Sequence, residues 1–272
     1  MSLRIQTNVE AFDAHRNLTY TQGQLADSMQ KLSSGFRINK AADDAAGLAI
    51  SEKLGAQVSG LGQAQANAQS AVNLVQTADG AMGEVTSMLQ RVRDLAVEYN
   101  NGTLSSSDQA AITAEVAQLC AEISSIGQDT QFNGIALLTG SATITFQVGA
   151  NDNETISASA VALFGSGSSY AVDSSIFNFT GSTINISAID AAIQNVDTDR
   201  ATFGAVQNRL QHTLNNLSNY QENLQASESS IKDVDMASEM VNFTKLQVLQ
   251  QAGMSVLAQA NQAPQSVLSL LR

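Results

Sequence analysis

Cysteine, proline, tryptophan and histidine are nearly missing from this 272-residue chain, and charge is scarce. The single Cys excludes an intrachain disulfide framework and any Cys-based zinc site. One Pro in the whole chain, against about 5% in average sequences, predicts long unbroken helices, because proline disrupts helix interiors. Charged residues make up 14%, compared with about 25% in ordinary soluble domains. The 13 Lys+Arg face 25 Asp+Glu, a net charge of -12, which excludes the basic face that neutralises nucleic-acid phosphates. No apolar run approaches the ~18 residues of a membrane span, so no membrane insertion is expected. The N-terminal sequence lacks the basic segment and short apolar core of a secretory signal peptide. Taken alone, those absences describe a cytosolic protein.

What the chain does have is apolar residues at helical spacing. Ser2 to Phe36 reads as a first helix, with Leu18, Leu25, Met29, Leu32 and Phe36 at steps of 7, 4, 3 and 4. Upstream, Ile5, Val9 and Phe12 repeat the 4,3 step in a shifted register. Gly35 interrupts this helix, and Ile38 to Gly47 reads as a small-residue connector. A second helix is expected from about Glu52 to Asn100. Its seam is Val58, Leu61, Gln65, Ala68, Val72, Val75, Ala78, Met82, Val85, Leu89, Val92, Ala96 and Tyr99. One step, Val75 to Ala78, is a residue short, as in a coiled-coil stammer. At ~1.5 Å per residue such a helix is about 70 Å long, too long to bury itself in a compact globule. After a turn at Asn100–Asp108, where Gly102 or its Asn neighbours can take positive φ and a Ser or Asp can cap, a third helix carries Ile112, Val116, Leu119, Ile123 and Ile126. Two long seams joined by a short turn predict an antiparallel hairpin.

The period then changes to two. Ile144, Phe146 and Val148 alternate with Thr143, Thr145 and Gln147, which predicts a strand from Ala142 to Val148. Thr155-Ile156-Ser157 begins its hairpin partner. Ala158 to Gly181, rich in Gly, Ser and Ala, reads as exposed loop with some β-structure. Helical period returns near Ile184 and reaches Ile231 through Ile189, Ile193, Val196, Phe203, Val206, Leu210, Leu214, Leu217 and Leu224. A last helix is expected from about Asp233 to Ala263, with Met236, Met240, Phe243, Met254 and Leu257 on its seam and Gln247 and Gln250 in phase between them. Leu246, Leu249 and Val256 form an adjacent stripe, so more than one face is apolar. Pro264 is expected to end this helix. The two terminal helices have no partner nearby in sequence and pair most simply with each other. The fold class is mainly α: an elongated antiparallel coiled-coil rod with paired terminal helices and a small central β-hairpin region.

Catalytic and metal-binding patterns are sparse. His15 and His212 fit no ligand spacing and read as solvated helix residues. Cys120 has no adjacent basic residue to activate it. Asp43-Asp44, beside Lys40, reads as capping or a structural ion pair, and Gly149 to Glu154 as a turn lacking the ligand ladder of a calcium loop. No catalytic residue, cofactor or metal is expected, and the protein is not read as an enzyme. One charged patch is denser: Gln90, Arg91, Arg93, Asp94 and Glu98 on the second helix with Glu115 on the third. Arg91 and Asp94 are spaced as an i,i+3 pair.

Several separate blocks resemble bacterial flagellin, the flagellar filament subunit. They are Lys31 to Asn39 and Ala41 to Ile50, Leu89 to Val97, Thr130 to Gly134 and Phe146 to Asn151. Near the C-terminus come Ala252-Gly253 and Pro264 to Leu271. The resemblance covers roughly residues 1–155 and 184–272. It implies a D0 domain of paired terminal helices (1–44 with 232–272), a D1 helical rod (45–140 with 184–231) and a β-hairpin and variable loop region (141–183). It implies self-assembly into an extracellular filament for swimming, after type III flagellar export without a cleaved signal peptide. Implied partners are the cap and hook–filament junction proteins and an export chaperone. The resemblance also implies recognition by a Toll-like receptor through Gln90, Arg91, Leu95 and Glu115. Val267, Leu268, Leu270 and Leu271 correspond to a terminal assembly segment whose leucines cytosolic immune sensors recognise. A hook–filament junction protein shares the same plan, but the Gln131-Phe132-Asn133-Gly134 block and the Leu-rich ending favour flagellin. A filament-displayed metalloprotease is disfavoured by the lack of any His-Glu-x-x-His and by the short centre.

Overall fold

Five helices form where the apolar period runs near 3.6. The computed structural model describes the backbone of residues 8–140, 143–165, 171–179 and 184–270, and their side chains save those of 165, 174 and 263–270. The helices are α1 (Val9–Ser34), α2 (Ala45–Tyr99), α3 (Ser106–Asp129), α4 (Ile186–Lys232) and α5 (Met236–Leu270). The mainly α class is borne out. Packing divides the chain into two units, one of Met1–Val58 with Asn223–Arg272 and the other Ser59–Glu222.

In the first unit α1 pairs antiparallel with α5. Asn8 donates to the Ala260 carbonyl at one end, and Ser28 donates to Glu239 near the other. The inward residues of α1 recur at steps of 3 and 4: Ala11, Ala14, Leu18, Thr21, Leu25, Ser28 and Leu32. Facing them on α5 are Glu239, Phe243, Leu246, Gln250, Gly253, Leu257 and Ala260. This corrects the expected seams: Val9, Phe12, Met29, Phe36, Met236, Met240 and Met254 stand exposed. The reason is interhelical distance. A Cβ on Gly253 would lie 3.3 Å from Leu18 Cδ1, so the helices approach closely there, with Leu18, Leu25, Leu32, Phe243, Leu246 and Leu257 inward and a second apolar stripe left outward.

The helix ends follow from local chemistry. Asn8 caps α1 by accepting from the Ala11 N–H. Gly35, at φ 77°, closes it in the left-handed conformation open to glycine. The next residues lie against the end of α4: Arg37 N–H donates to the Lys232 carbonyl at 2.7 Å, and Val234 N–H to the Gly35 carbonyl at 3.0 Å. The Lys232 ammonium sits 4.6 Å from the Phe36 ring centre. Asp44 accepts from the Gly47 N–H, so α2 begins at Ala45 rather than near Glu52. Asp43 accepts from the Asn39 and Lys40 N–H groups, and these bonds hold its carboxyl below the ordinary range. Lys40 lies 3.9 Å from Asp27, so the capping role expected of Asp43-Asp44 is served by backbone donors. Asp235 caps α5, which starts at Met236, by accepting from Ala237 and Ser238.

In the second unit one apolar core joins α2, α3 and α4. Leu61, Ala68, Val72, Val75, Ala78, Met82, Val85, Leu89, Val92, Ala96 and Tyr99 are all buried, as the second seam predicts, including its short step. Three interhelical ion pairs lie over this core: Arg91–Glu115 at 2.7 Å, Arg93–Asp190 at 2.6 Å and Arg200–Asp79 at 2.9 Å. The Arg91–Asp94 pair suggested by spacing gives way to Arg91–Glu115 because α3 brings its carboxylate closer. The turn before α3 uses no left-handed residue at Asn100, Asn101 or Gly102. Asn100 instead uses its amide as a strand would, donating to and accepting from the backbone of Ile184 at 3.0 and 2.7 Å. Ser105 and Asp108 form a full capping box on α3.

The β elements cover this core. β1 (Gln131–Phe132) and β2 (Ile135–Ala136) pair antiparallel around Asn133 and Gly134, at φ 51° and 79°. Two positive φ values in a two-residue loop define the turn that Asn-Gly favours, which explains that block of the sequence. β3 (Thr143–Gln147) and β4 (Thr155–Ser159) form the expected hairpin; residue 142, its expected start, lies outside the described residues. At its turn Glu154 accepts from the Asn151 side chain and backbone, so its carboxylate serves the turn. Gly60 lies against Ala150, 3.1 Å from the position a Cβ would take, and Asn67 donates to the Gln147 carbonyl. β5 (Phe164–Gly165) and β6 (Val172–Asp173) are parallel and lead into a 3-10 turn at Ser174–Phe177. The expectation of exposed loop fails here: Leu163, Val172, Phe177 and Phe179 are buried. Aromatic side chains cause this, with Tyr99 and Phe179 rings edge-on at 5.5 Å and Phe164 and Phe177 at 5.9 Å. Gly140, at φ 70°, passes so close that a Cβ would meet Ala162.

Candidate functional site: an apolar assembly surface

Thirteen of the sixteen large hydrophobic side chains exposed among the described residues belong to the first unit. On α1 they include Val9, Phe12, Tyr20 and Met29, and on α5 Met236, Met240, Val241, Val248, Leu249, Met254 and Val256. Val241 is 71% exposed and Phe12 74%. A shallow groove on α5 is lined by Met240, Val241, Thr244, Lys245, Val248 and Leu249. Another runs past Leu25, Met29 and Gln250. These residues form an apolar stripe beyond the one inward face of an ordinary amphipathic helix, and apolar surface of such density marks an interaction face. The sequence signal was the second apolar stripe on the last helix, which could not say which stripe faces inward.

Other chemistry is sparse. His15 and His212 are exposed helix residues. Cys120 is half-buried, and burial pushes its thiol up, away from the reactive thiolate. Among the described residues no group of three His, Cys, Asp or Glu could hold a metal ion, and no helix is long and apolar enough to cross a membrane.

The two ends of the chain match, in order, the bacterial flagellin N-terminal helical region over residues 5–143 and the C-terminal helical region over residues 186–271. The chain belongs to the bacterial flagellin family. It is 49% identical over 271 residues to a flagellin of Halalkalibacterium halodurans, covering 98% of this chain and 99% of the relative. It is 43% identical to flagellin FlaB2 of Treponema pallidum, with 98% and 99% covered. The crystal structure of Bacillus cereus flagellin is similar at 32% identity and a TM-score of 0.46, over 56% of this chain and 88% of that one. Flagellins are structural subunits that polymerise into the flagellar filament, outside the cell. The apolar faces of α1 and α5 are therefore those of a protein built to associate with its own copies.

Of the residues carried over by resemblance, Gln90, Arg91 and Glu115 are exposed, and α2 and α3 bring Arg91 and Glu115 into contact. Leu95 is 1% exposed and packs in the core between Val92 and Ala96, so it presents no surface to a partner. The seam quoted from sequence omitted it because it lies on the neighbouring row of α2. Val267, Leu268 and Leu270 lie in the last turns of α5, with side chains outside the described residues, as is Leu271 altogether. Pro264 does not end α5, which continues to Leu270.

Proposed function

We propose that the first unit is the part of this subunit that filament assembly buries, after export of the unfolded chain through the flagellar type III channel without cleavage. The observation that carries this is the placement of the large exposed apolar residues on α1 and α5. The pair buries one stripe of each helix, around Leu18, Leu25, Leu32, Phe243, Leu246 and Leu257, and leaves a second apolar stripe in solvent, while helical stability comes mainly from packing apolar faces. Neighbouring copies supply that packing, and a head-to-tail interface that does not close yields an open helical polymer. The chain is structural rather than catalytic. Its terminal apolar helices, held from premature association, are what an export chaperone would cover. The cap and hook–filament junction proteins are the further partners of the assembled chain.

Amide hydrogen exchange on free subunit and filament tests this reading. Amides of α1 and α5 are expected to exchange rapidly in the free subunit and slow by orders of magnitude in the filament, while α2 core amides near Val85 and Leu89 are protected in both. Equal protection of α1 and α5 in both states would overturn it.

We also infer an innate-receptor surface around Gln90, Arg91 and Glu115, with Leu95 supporting the helix from below. The terminal leucines Leu268, Leu270 and Leu271 would be the counterpart for cytosolic sensors. Replacing Arg91 with Ala removes a guanidinium that is half-exposed beside Glu115, and an interfacial Arg is worth about 2 kcal/mol, a roughly thirty-fold weaker Toll-like receptor response. An unchanged response, with helical content intact, discards this surface.

A further inference from the structure

Pro264 lies within α5. In an α-helix the N–H of residue 264 would donate to the carbonyl of Ala260, and proline has no N–H. That carbonyl instead accepts from Asn8 Nδ2 at 2.7 Å. The other end of the same amide, Oδ1, accepts from the Ala11 N–H at 3.1 Å and caps α1. The two partners fix the amide's orientation, since one requires an acceptor and the other a donor. An Asp at this position supplies the cap and no donor.

Asn8 adds a polar mark to the α1–α5 seam, at the end opposite the Ser28–Glu239 hydrogen bond. Leu18, Leu25 and Leu32 recur every seven residues, and the facing positions of α5 repeat at 3 and 4, so a slip by one heptad keeps the spacing of the seam, although it takes Gly253 away from Leu18 and parts Ser28 from Glu239. A slipped α1 would meet a carbonyl already bonded within its own helix. A single buried polar contact is a recognised means of fixing register in a repetitive apolar seam. We propose that Asn8 and Pro264 act as a pair that sets the register of α1 on α5: the proline frees one carbonyl, and the asparagine amide takes it. In this role Pro264 is a position marker inside the helix.

The test is a double-mutant cycle on the full chain, read as the subunit concentration left unpolymerised at equilibrium; it rests on the filament reading. Asn8→Asp, which keeps the cap, is expected to raise that concentration by up to about ten-fold, since the Ala260 carbonyl it leaves unsatisfied is part-buried. In a Pro264→Ala background, where residue 264 again donates to Ala260, the same change is expected to cost no more than about two-fold. An equal cost in both backgrounds, or none in either, overturns the pairing. If the unmutated chain fails to assemble, the filament reading fails first. Register is read separately in a Cys120→Ser chain by disulfide capture of Leu18→Cys. In an otherwise unmutated chain capture goes to Gly253→Cys. In the Asn8→Asp chain a share is expected to move to Leu246→Cys, one heptad away. Capture confined to 253 in both overturns the register role.

Discussion

A chain lacking Gln262–Arg272 is expected to stay monomeric where the full chain polymerises. The deleted stretch carries Val267, Leu268, Leu270 and Leu271, four large apolar residues among the last six. Buried on assembly, each contributes about 1.5–3 kcal/mol. Together the low end is about 6 kcal/mol, a rise of about 10⁴-fold in the concentration needed to polymerise. The deletion also shortens α5 by its last turns and removes Pro264, so the marked carbonyl of Ala260 loses its position in the interior of the helix. The second unit shares none of these residues, and its thermal transition is expected to be unchanged. Electron microscopy of salted-out protein, with sedimentation of the free subunit, decides the matter. Filaments from the truncated chain at the normal concentration would sink the assignment of this segment to assembly.

The second large effect is expected from charge on the outer face of α5. Val241 and Val248 are one heptad apart, 71% and 59% exposed, and line the same groove. Replacing both with Asp changes the isolated subunit little, since exposed substitutions away from special features stay within about 0.5 kcal/mol. In a filament that covers this face, two unpaired carboxylates would be buried at several kcal/mol each. Assembly is expected to be lost with the monomer's circular dichroism and melting preserved. Assembly at normal concentration would show that this face of α5 remains in solvent in the polymer.

The sequence was legible where one apolar stripe outweighed the rest. The seam of α2 is buried from Ala68 to Tyr99, down to the short step at Val75–Ala78, because its period is sustained, while a neighbouring row with Ala71, Leu74 and Leu95 is buried beside it. The α3 cap, the Gly35 stop and the β3–β4 hairpin were legible for a similar reason: each depends on residues within a few positions of one another. Legibility failed on the terminal helices, where two stripes competed. It failed again over residues 158–165 and 171–179, where Phe164, Phe177 and Phe179 among Gly, Ser and Ala suffice to anchor the chain onto a core formed by distant helices. Leu95, carried over by resemblance, lies in the core, a placement that its spacing on α2 did not reveal.

By itself the sequence determined the helices, the core of α2, α3 and α4, the hairpin and the family, because these follow from period, local capping and motif order. It also set the scarcity of proline, charge and cysteine that suits close contacts between long helices. Only the tertiary structure decided which face of α1 meets which face of α5. That choice goes to the faces where Leu and Phe alternate with small residues such as Ala14, Ser28 and Gly253, which lets the backbones come near, over the stripes of exposed Met and Val. It also decided the fate of Pro264. Local preference says stop, and an amide 252 residues away supplies the donor that lets the helix continue.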